Sequence, residues 1–207
     1  NTPNPDGGEI VRDVQGEPTG VLLETASWSH LERILPETTA QSAMEALARA
    51  NRYLLERGIT SASDANTELR AIDWYEQAVA HNHLQVRVNS MVGWAEVMKQ
   101  MGEGEIPTPR DLQPSHYNID GHHYHVGQAK LFSDGAITTR TCWLKEPFEG
   151  MPNNYGIAMH SEEELREYIM LAHESGWQIA THAIGDRAID VVLNAYAEAQ
   201  RRNTRTR

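Results

Sequence analysis

Residues 177–202 read WQIATHAIGDRAIDVVLNAYAEAQRR, and the fold assignment begins from the pattern in this stretch. The first part, WQIATHAIGD, is a short apolar run that ends at a Gly-Asp pair, which is typical of a strand followed by a turn. The second part places apolar residues at the spacing of a helix. The stretch therefore predicts a strand that leads through a short turn into a helix, the repeating unit of an α/β protein.

The same alternation continues toward the N-terminus. Short strand-like runs are followed by longer runs with helical spacing, and glycines mark several helix ends. The predicted strands span residues 59–65, 84–94, 124–135 and 177–186, and the predicted helices span residues 38–57, 66–83, 95–104, 161–176 and 187–202. Alternating strands and helices predict βαβ units around a parallel sheet.

Local signals support two further features. Ser161 and Glu164 have the spacing of a capping box at the start of a helix. Near the N-terminus, the strand-like runs 9–13 and 19–24 are separated by a turn-forming stretch that contains Gly and Pro. This arrangement predicts a β-hairpin before the first helix.

Composition narrows the range of functions. The chain has 207 residues with a formal net charge of −11, which argues against nucleic acid or an anionic membrane as partner. Its single cysteine, Cys142, excludes an intrachain disulfide, and the neighbouring residues provide no base to activate it as a nucleophile. No apolar run approaches the ~20 residues of a membrane span. A cytoplasmic location is therefore the expectation.

Polar residues lie at the C-terminal ends of three predicted strands: Asp64, Asp134 and His182. Both barrels and open α/β sheets place their chemistry at that edge, so these residues are candidates for function. His182 could equally be a structural histidine, and Asp186 could be the N-cap of the last helix. No Gly-rich phosphate loop follows any strand, so nucleotide binding is unsupported.

Lys130 is unusual because lysine is depleted in strands. Strand alternation places Ala129 and Leu131 on one face, and Lys130 with Phe132 on the other. Lys130 could point to water from an edge strand, form a Schiff base with a carbonyl substrate, or pair with a carboxylate. It could also be carbamylated by CO2, which would turn it into an anionic oxygen donor for metal ions.

Four sequence blocks resemble one known family over nearly all of the chain. They read GGEIVRDVQGEPTGVLLETA, LLERGITSASDA, AKLFSDGAITTRT and THAIGDRAIDVVLNAYAEA. In order and spacing they resemble the amidohydrolase-3 (YtcJ-like) branch of the metal-dependent amidohydrolase superfamily. The resemblance implies a TIM-type (β/α)8 barrel and hydrolysis, by metal-activated water, of carbon–nitrogen bonds other than peptide bonds.

The resemblance also implies roles for individual residues. Lys130 matches the carbamylated lysine of barrel strand 4, and His182 matches the histidine of strand 5. Both would bind a divalent metal, with Zn2+ as the first candidate and one or two ions in the full-length protein. Asp134, Arg140 and Asp186 would lie on loops near the site and support the ligands or contact a small-molecule substrate.

Several motifs of that family have no match here, namely the His-x-His of strand 1, the histidine of strand 6 and the general-base aspartate of strand 8. The expectation is an internal fragment of a bacterial protein, a partial barrel of about units 2 to 5. Residues 1–30 would form the hairpin and connector between strands 1 and 2, and residues 31–207 the partial barrel. Its open sheet edges would favour self-association.

Alternatives remain open at this point. The patterns HNH at His81 and His83 and HYH at His123 and His125 resemble metal-binding pairs, but neither follows an apolar strand at the start of a barrel. The chain could be an inactive half-barrel fragment without metal, or part of a Schiff-base lyase that uses Lys130.

Overall fold

The computed structural model describes residues 2–101, 106–113 and 124–203. Of the HYH pattern, His123 lies outside these residues. In chain order, the elements are β1 (Gly8–Arg12), β2 (Pro18–Glu24), α1 (Thr25–Ile34), α2 (Ala40–Leu55), β3 (Ser61–Thr67), α3 (Leu69–Ala80), β4 (Arg87–Gly93), α4 (Trp94–Met101), β5 (Tyr124–Phe132), α5 (Glu162–Glu174), β6 (Gln178–His182) and α6 (Asp186–Arg202). None of the helices in the described ranges is long and apolar enough to cross a membrane.

The main sheet contains four strands in the order β3-β4-β5-β6. Strands β3 and β4 pair in parallel, and so do β4 and β5. Each of these strands is followed along the chain by a helix. The predicted α/β fold with a parallel sheet is therefore confirmed. The predicted hairpin is confirmed as well, because β1 and β2 pair antiparallel in a two-stranded sheet of their own.

The residues group into two compact units. One consists of Asn1–Pro36, Phe132–Leu171 and Thr181–Arg207, and the other of Glu37–Leu131 and Ala172–Ala180. In the first unit, α6 buries a row of small residues at helical spacing, which allows close packing on that face. The row consists of Ala188, Val192, Ala195 and Ala199.

The core of the second unit forms between its strands and helices. Trp94, which begins α4, lies edge-on to Trp177 with 6.5 Å between ring centroids. Both side chains are almost fully buried. The buried apolar residues of this unit lie in β4, β5, α3 and α4 and, in the case of Val86, just before β4. They include Ile72, Ala78, Val86, Val88, Val92, Val97, Val126, Ala129 and Leu131. Burial of this set provides the main stabilisation of the unit.

Strand β5 shows the alternation predicted from its sequence. Ala129 and Leu131 are buried, whereas Lys130 and Phe132 are half-buried on the opposite face. The face assignment for Lys130 is therefore confirmed. An alternating strand of this kind presents every second residue to the side of the sheet away from the helices.

Two local expectations are corrected. Residues 25–34 form the helix α1, where the sequence pattern predicts an irregular connector. Asp64 is not at a strand end, because β3 continues to Thr67. The Asp64 carboxylate accepts hydrogen bonds from the Tyr75 hydroxyl at 2.9 Å and the Thr67 hydroxyl at 3.1 Å. Burial, followed by the Asp64 charge, raises the pKa of Tyr75 above its ordinary value.

The predicted capping box is confirmed at the start of α5. The Ser161 hydroxyl accepts a hydrogen bond from the Glu164 backbone N–H at 3.2 Å, and the Glu164 carboxylate accepts one from the Ser161 backbone N–H at 2.9 Å. Because these N–H groups have no partner within the helix, the side chains supply one and fix where the helix begins.

A buried asparagine, Asn51, links α2 to the two residues just before β4. The side-chain oxygen of Asn51 accepts hydrogen bonds from the backbone N–H groups of Gln85 at 2.8 Å and Val86 at 3.0 Å. Asn51 itself is 7% exposed, so replacing it would leave two backbone donors without their acceptor, of which the Val86 N–H is buried.

We expect Asn51→Ala to lower the free energy of unfolding by about 2–3 kcal/mol, because each unsatisfied buried donor costs about 1–3 kcal/mol. Urea unfolding followed by circular dichroism would measure this change. The exposed Gln41→Ala in the same helix is the control and should have little effect. Equal effects of the two substitutions would contradict the proposed role of Asn51.

Candidate functional site

The candidate site in the first unit centres on His182, the last residue of β6. Its Nε2 lies 2.9 Å from the carbonyl oxygen of Gly135. Since a carbonyl only accepts hydrogen bonds, Nε2 is the donor in this contact, and the tautomer that fits it has its lone pair on Nδ1. The His182 backbone carbonyl accepts hydrogen bonds from the backbone N–H of Ser133 at 3.0 Å and from the Ser133 hydroxyl. The ring and its backbone are therefore both held by the segment that follows β5.

Asp134 lies in the same segment and is 1% exposed. Its carboxylate accepts backbone N–H hydrogen bonds from Trp143 at 2.9 Å, Ile184 at 3.0 Å and Gly185 at 2.7 Å. Its Oδ1 also lies 3.6 Å from Nε2 of His182. Hydrogen bonds to an ionised acceptor are the stronger kind, so Asp134 firmly joins the segment after β5 to the turn between β6 and α6.

Gly185 must be a glycine for a steric reason. A Cβ atom at this position would overlap the backbone carbonyl of Trp143. The missing side chain lets the two backbone segments approach each other closely enough for both to donate to Asp134.

Asp186 is the first residue of α6 and is exposed. The interpretation of Asp186 as the N-cap is wrong, because Gly185 occupies that position and no side chain caps the helix there. The Asp186 carboxylate instead accepts the backbone N–H of Lys145 at 2.9 Å. Its negative charge in the first turn is favourable to the helix dipole.

Arg140 lies on an exposed turn of the first unit. Its backbone has a positive φ of 56°, and its backbone N–H donates to the carbonyl of Ile137 at 3.0 Å. The guanidinium contacts the sulfur of Met151 at 3.1 Å. The structure thus places Arg140 on the loop after β5, and its interaction with a substrate carboxylate stays a prediction.

The rings of Trp28, Phe132 and His182 lie next to one another in that order. The ring of Phe132 lies 5.6 Å from the ring of Trp28 and 5.6 Å from the imidazole of His182, measured between centroids. Trp28 belongs to α1, the helix that the sequence pattern missed. The Phe132 ring covers one side of the imidazole, which restricts its orientation.

Lys130 belongs to the second unit, where it lies opposite Gly93 of β4. Its side chain is half-buried, and burial lowers the pKa of the ammonium group because the charged form loses hydration. A lowered pKa increases the fraction of neutral amine. The neutral amine is the form that reacts with CO2 or with a carbonyl group.

Cys142 is buried, with 2% of its surface exposed. Burial, followed by the negative charge of Asp134, raises the pKa of its thiol. The reactive thiolate is therefore disfavoured, which agrees with the sequence-based exclusion of Cys142 as a nucleophile.

Clusters of potential metal ligands are absent from the part of the chain that the structure describes. Within residues 2–101, 106–113 and 124–203, no group of three or more His, Cys, Asp or Glu side chains is arranged to hold a metal ion. Of the HNH pattern, His81 follows the last residue of α3, and its Nδ1 lies 2.7 Å from the carbonyl of Gln77. Any metal bound with the help of His182 or Lys130 therefore needs further ligands.

Three residues near His182 carry no signal in the strand and helix pattern of the sequence. Ser133 and Gly135 flank Asp134 and contact the histidine, and Glu24 lies against Gly135. The Asp-Gly pair at 134–135 is a turn signal that could have directed attention to Gly135. No local signal points to Glu24, because Thr141, the residue that it contacts, lies 117 positions later in the sequence.

The chain matches one protein family and is similar in sequence to several known proteins. The family profile described as the amidohydrolase family matches residues 1–207. The YtcJ protein of Bacillus subtilis (strain 168) is 32% identical over 219 residues, which cover 99% of this chain and 37% of YtcJ. The N-substituted formamide deformylase of Arthrobacter pascens is 30% identical over 213 residues, 99% of this chain and 37% of that protein.

A solved structure has a similar fold. The crystal structure of an uncharacterized metal-dependent hydrolase from Pyrococcus horikoshii OT3 matches with a TM-score of 0.69 and 25% identity, over 95% of this chain and 37% of the other. The chain thus spans 37% of the length of each of these three proteins.

Proposed function

Because this chain belongs to the amidohydrolase family, we propose that it is part of a metal-dependent hydrolase of carbon–nitrogen bonds other than peptide bonds. The proposal is supported by the similarity to a protein named N-substituted formamide deformylase and to one described as a metal-dependent hydrolase. The structural observation that carries it is the hydrogen bond from Nε2 of His182 to the Gly135 carbonyl.

That hydrogen bond is the arrangement expected of a metal-binding histidine. Ligating histidines usually donate their other ring N–H to a carbonyl or carboxylate, which fixes the tautomer and the ring orientation. In His182 the proton is held on Nε2, and Nδ1 has the free lone pair. We therefore propose Nδ1 of His182 as a metal ligand in the complete protein.

Lys130 is proposed as a second ligand in its carbamylated form. The family resemblance assigns it that role, and its half-buried position on β5 with a lowered pKa is compatible with reaction of the neutral amine with CO2. The product carries an anionic oxygen, and oxygen with imidazole nitrogen suits Zn2+ or a similar divalent ion. When bound, such an ion activates water and polarises the substrate carbonyl.

Other residues of the chain support these ligands. Asp134 holds the segment after β5 against the turn before α6, and the Phe132 ring, which contacts Trp28, covers one side of the His182 ring. Asp186 and Arg140 lie on loops of the same unit, and we propose that they support the site or contact the substrate.

The proposed fold of the complete protein is a TIM-type (β/α)8 barrel. The four strands β3 to β6 would be four consecutive strands of it, about units 2 to 5, with the hairpin and α1 preceding them. A full barrel needs about 250 residues, more than this chain contains. The remaining ligands and the general base would then lie in the other strands, and a small molecule would be the substrate.

Metal removal tests the proposal. We expect chelation of the complete protein to reduce hydrolysis of an N-substituted formamide to below about 1% of the starting rate, since uncoordinated water keeps a pKa near 15.7. Addition of Zn2+ should restore the rate, and the untreated protein carried through the same dialysis is the control. Full activity after metal removal, verified by elemental analysis, would contradict the proposal.

A second candidate function is a Schiff-base lyase, which is favoured by the lowered pKa of Lys130. Borohydride reduction in the presence of a carbonyl substrate would attach the substrate covalently to Lys130. Mass spectrometry of the tryptic peptide distinguishes this adduct from an unmodified lysine. The hydrolase proposal expects no adduct.

A further inference from the structure

We propose that Glu24, at the end of the β-hairpin, is a positioning residue for His182. It acts through Thr141 and Gly135 and thereby raises the metal affinity of the site. The inference rests on the proposed function, because it concerns the orientation of a proposed metal ligand. All four residues belong to the same compact unit.

The backbone of Glu24 is the first observation. Its φ of 52° and ψ of −127° are close to those of the first central residue of a type II′ turn, a position that glycine usually occupies. A side chain in this conformation is strained and persists only when the surroundings hold it there. The presence of glutamate instead of glycine therefore indicates that its side chain is needed.

The second observation is the contact of the Glu24 carboxylate. Oε1 of Glu24 accepts a hydrogen bond from the hydroxyl of Thr141, which is 1% exposed. The same hydroxyl oxygen accepts the backbone N–H of Ala136 at 3.0 Å. With its proton directed to Glu24, the Thr141 hydroxyl presents a lone pair to that N–H, so the carboxylate fixes the orientation of the loop.

The third observation links Glu24 and Thr141 to the ring of His182. A Cβ atom on Gly135 would overlap both Oε1 of Glu24 and the Thr141 hydroxyl, so these two oxygens lie directly against the Gly135 backbone. The carbonyl of Gly135 is the acceptor for Nε2 of His182. Glu24 thus contacts the residue that sets the tautomer and orientation of the imidazole.

Loss of the Glu24 carboxylate would remove its acceptor from the Thr141 hydroxyl, whose other potential acceptors are the Thr139 hydroxyl at 2.6 Å and the Ala136 carbonyl at 3.4 Å, and would leave the Gly135 backbone less well held. Groups that orient a ligating histidine typically contribute a factor of 10–100 to metal affinity. The hairpin would therefore contribute to the site through the Glu24 carboxylate, which lies against the Gly135 backbone and does not bind the metal itself.

The experiment measures Zn2+ affinity of the complete protein, in the metal-free form, by competition with a chromophoric chelator. We expect Glu24→Gly and Thr141→Val each to raise the Kd for Zn2+ by about 10- to 100-fold. Thr141→Ser keeps the hydroxyl and should bind Zn2+ nearly as well as the unaltered protein. Glu24→Gln keeps a neutral acceptor and should fall between these values.

Stability measurements separate positioning from folding. Glycine suits the backbone of residue 24, so Glu24→Gly should keep its urea unfolding midpoint while its Zn2+ affinity falls. The matched control is Asn82→Gly, at an exposed residue with a positive φ of 55°, which should change neither quantity.

The outcomes are distinct. Wild-type Zn2+ affinity in both Glu24→Gly and Thr141→Val would overturn the role of Glu24 and leave the proposed function intact. Equal loss of affinity in Thr141→Ser and Thr141→Val would also overturn it, because the hydroxyl would then be irrelevant. Failure of the unaltered protein to bind Zn2+ would overturn the proposed function together with this inference.

Discussion

Asp134→Asn is expected to lower the free energy of unfolding by about 3–5 kcal/mol, because hydrogen bonds to a buried charged acceptor contribute about 1.5–3 kcal/mol each. Both carboxylate oxygens accept backbone N–H groups, from Ile184 on one side and from Trp143 and Gly185 on the other. An asparagine amide presents an N–H where one of these oxygens was. In either orientation of the amide, its N–H groups face one or two of these backbone N–H groups, in an environment that excludes water.

The control for this prediction is Asp13→Asn. Asp13 also accepts two backbone N–H groups, from Gln15 and Glu17 at 2.9 Å each, but it does so on the exposed hairpin turn. Both bonds go to one oxygen, which an asparagine can supply, and water can replace any lost partner. We expect a small effect there. Chemical unfolding of both variants measures the difference, and similar losses would show that burial of Asp134 is not the cause.

The sequence predicted the larger features of the fold for a physical reason. Helical spacing and strand alternation are set by burial, so the row from Ala188 to Ala199 and the pair Ala129 and Leu131 are visible in the residue order. Capping is equally local, which is why Ser161 and Glu164 could be recognised before the structure was known.

Features that depend on distant parts of the chain were not predictable in this way. The helix α1 follows an N-cap residue, Glu24, that is a glutamate with a positive φ, which no propensity favours. Strand β3 extends to Thr67, beyond the end that the residue pattern indicates, and its Asp64 carboxylate accepts a hydrogen bond from Tyr75, eleven residues later. Contacts between residues far apart in the chain are not visible in the local preference of the backbone.

The candidate site likewise combines features that the sequence predicts with features that depend on contacts between distant residues. His182 could be selected because it ends an apolar strand, yet the atom that is free to bind a metal follows only from the contact with Gly135. The interpretation of Asp186 as a cap failed because Gly185, whose backbone approaches Trp143 closely, takes the N-cap position. Close backbone approach depends on packing between segments far apart in sequence.

Lys130→Ala is expected to have the largest effect on function. If the carbamylated side chain supplies an anionic ligand, its removal eliminates both a metal–oxygen bond and a negative charge that balances the cation. We expect kcat/KM for an N-substituted formamide to fall by more than about 100-fold, beyond the loss typical of residues that only support a ligand. Because Lys130 is half-buried, the substitution removes little packing, and the unfolding midpoint should change little.

The control is Lys99→Ala on α4, an exposed lysine in the same unit. It makes the same lysine-to-alanine truncation away from the proposed ligands and should leave kcat/KM unchanged. Equal losses in the two variants would show that the loss does not come from a metal ligand at Lys130.

The most direct test of the central claim is the metal content of the complete protein and of its Lys130→Ala variant, measured by elemental mass spectrometry after gel filtration. The account predicts one or two equivalents of a divalent metal in the unaltered protein and in Lys99→Ala, and loss of metal in Lys130→Ala. An unchanged metal stoichiometry in Lys130→Ala would contradict it.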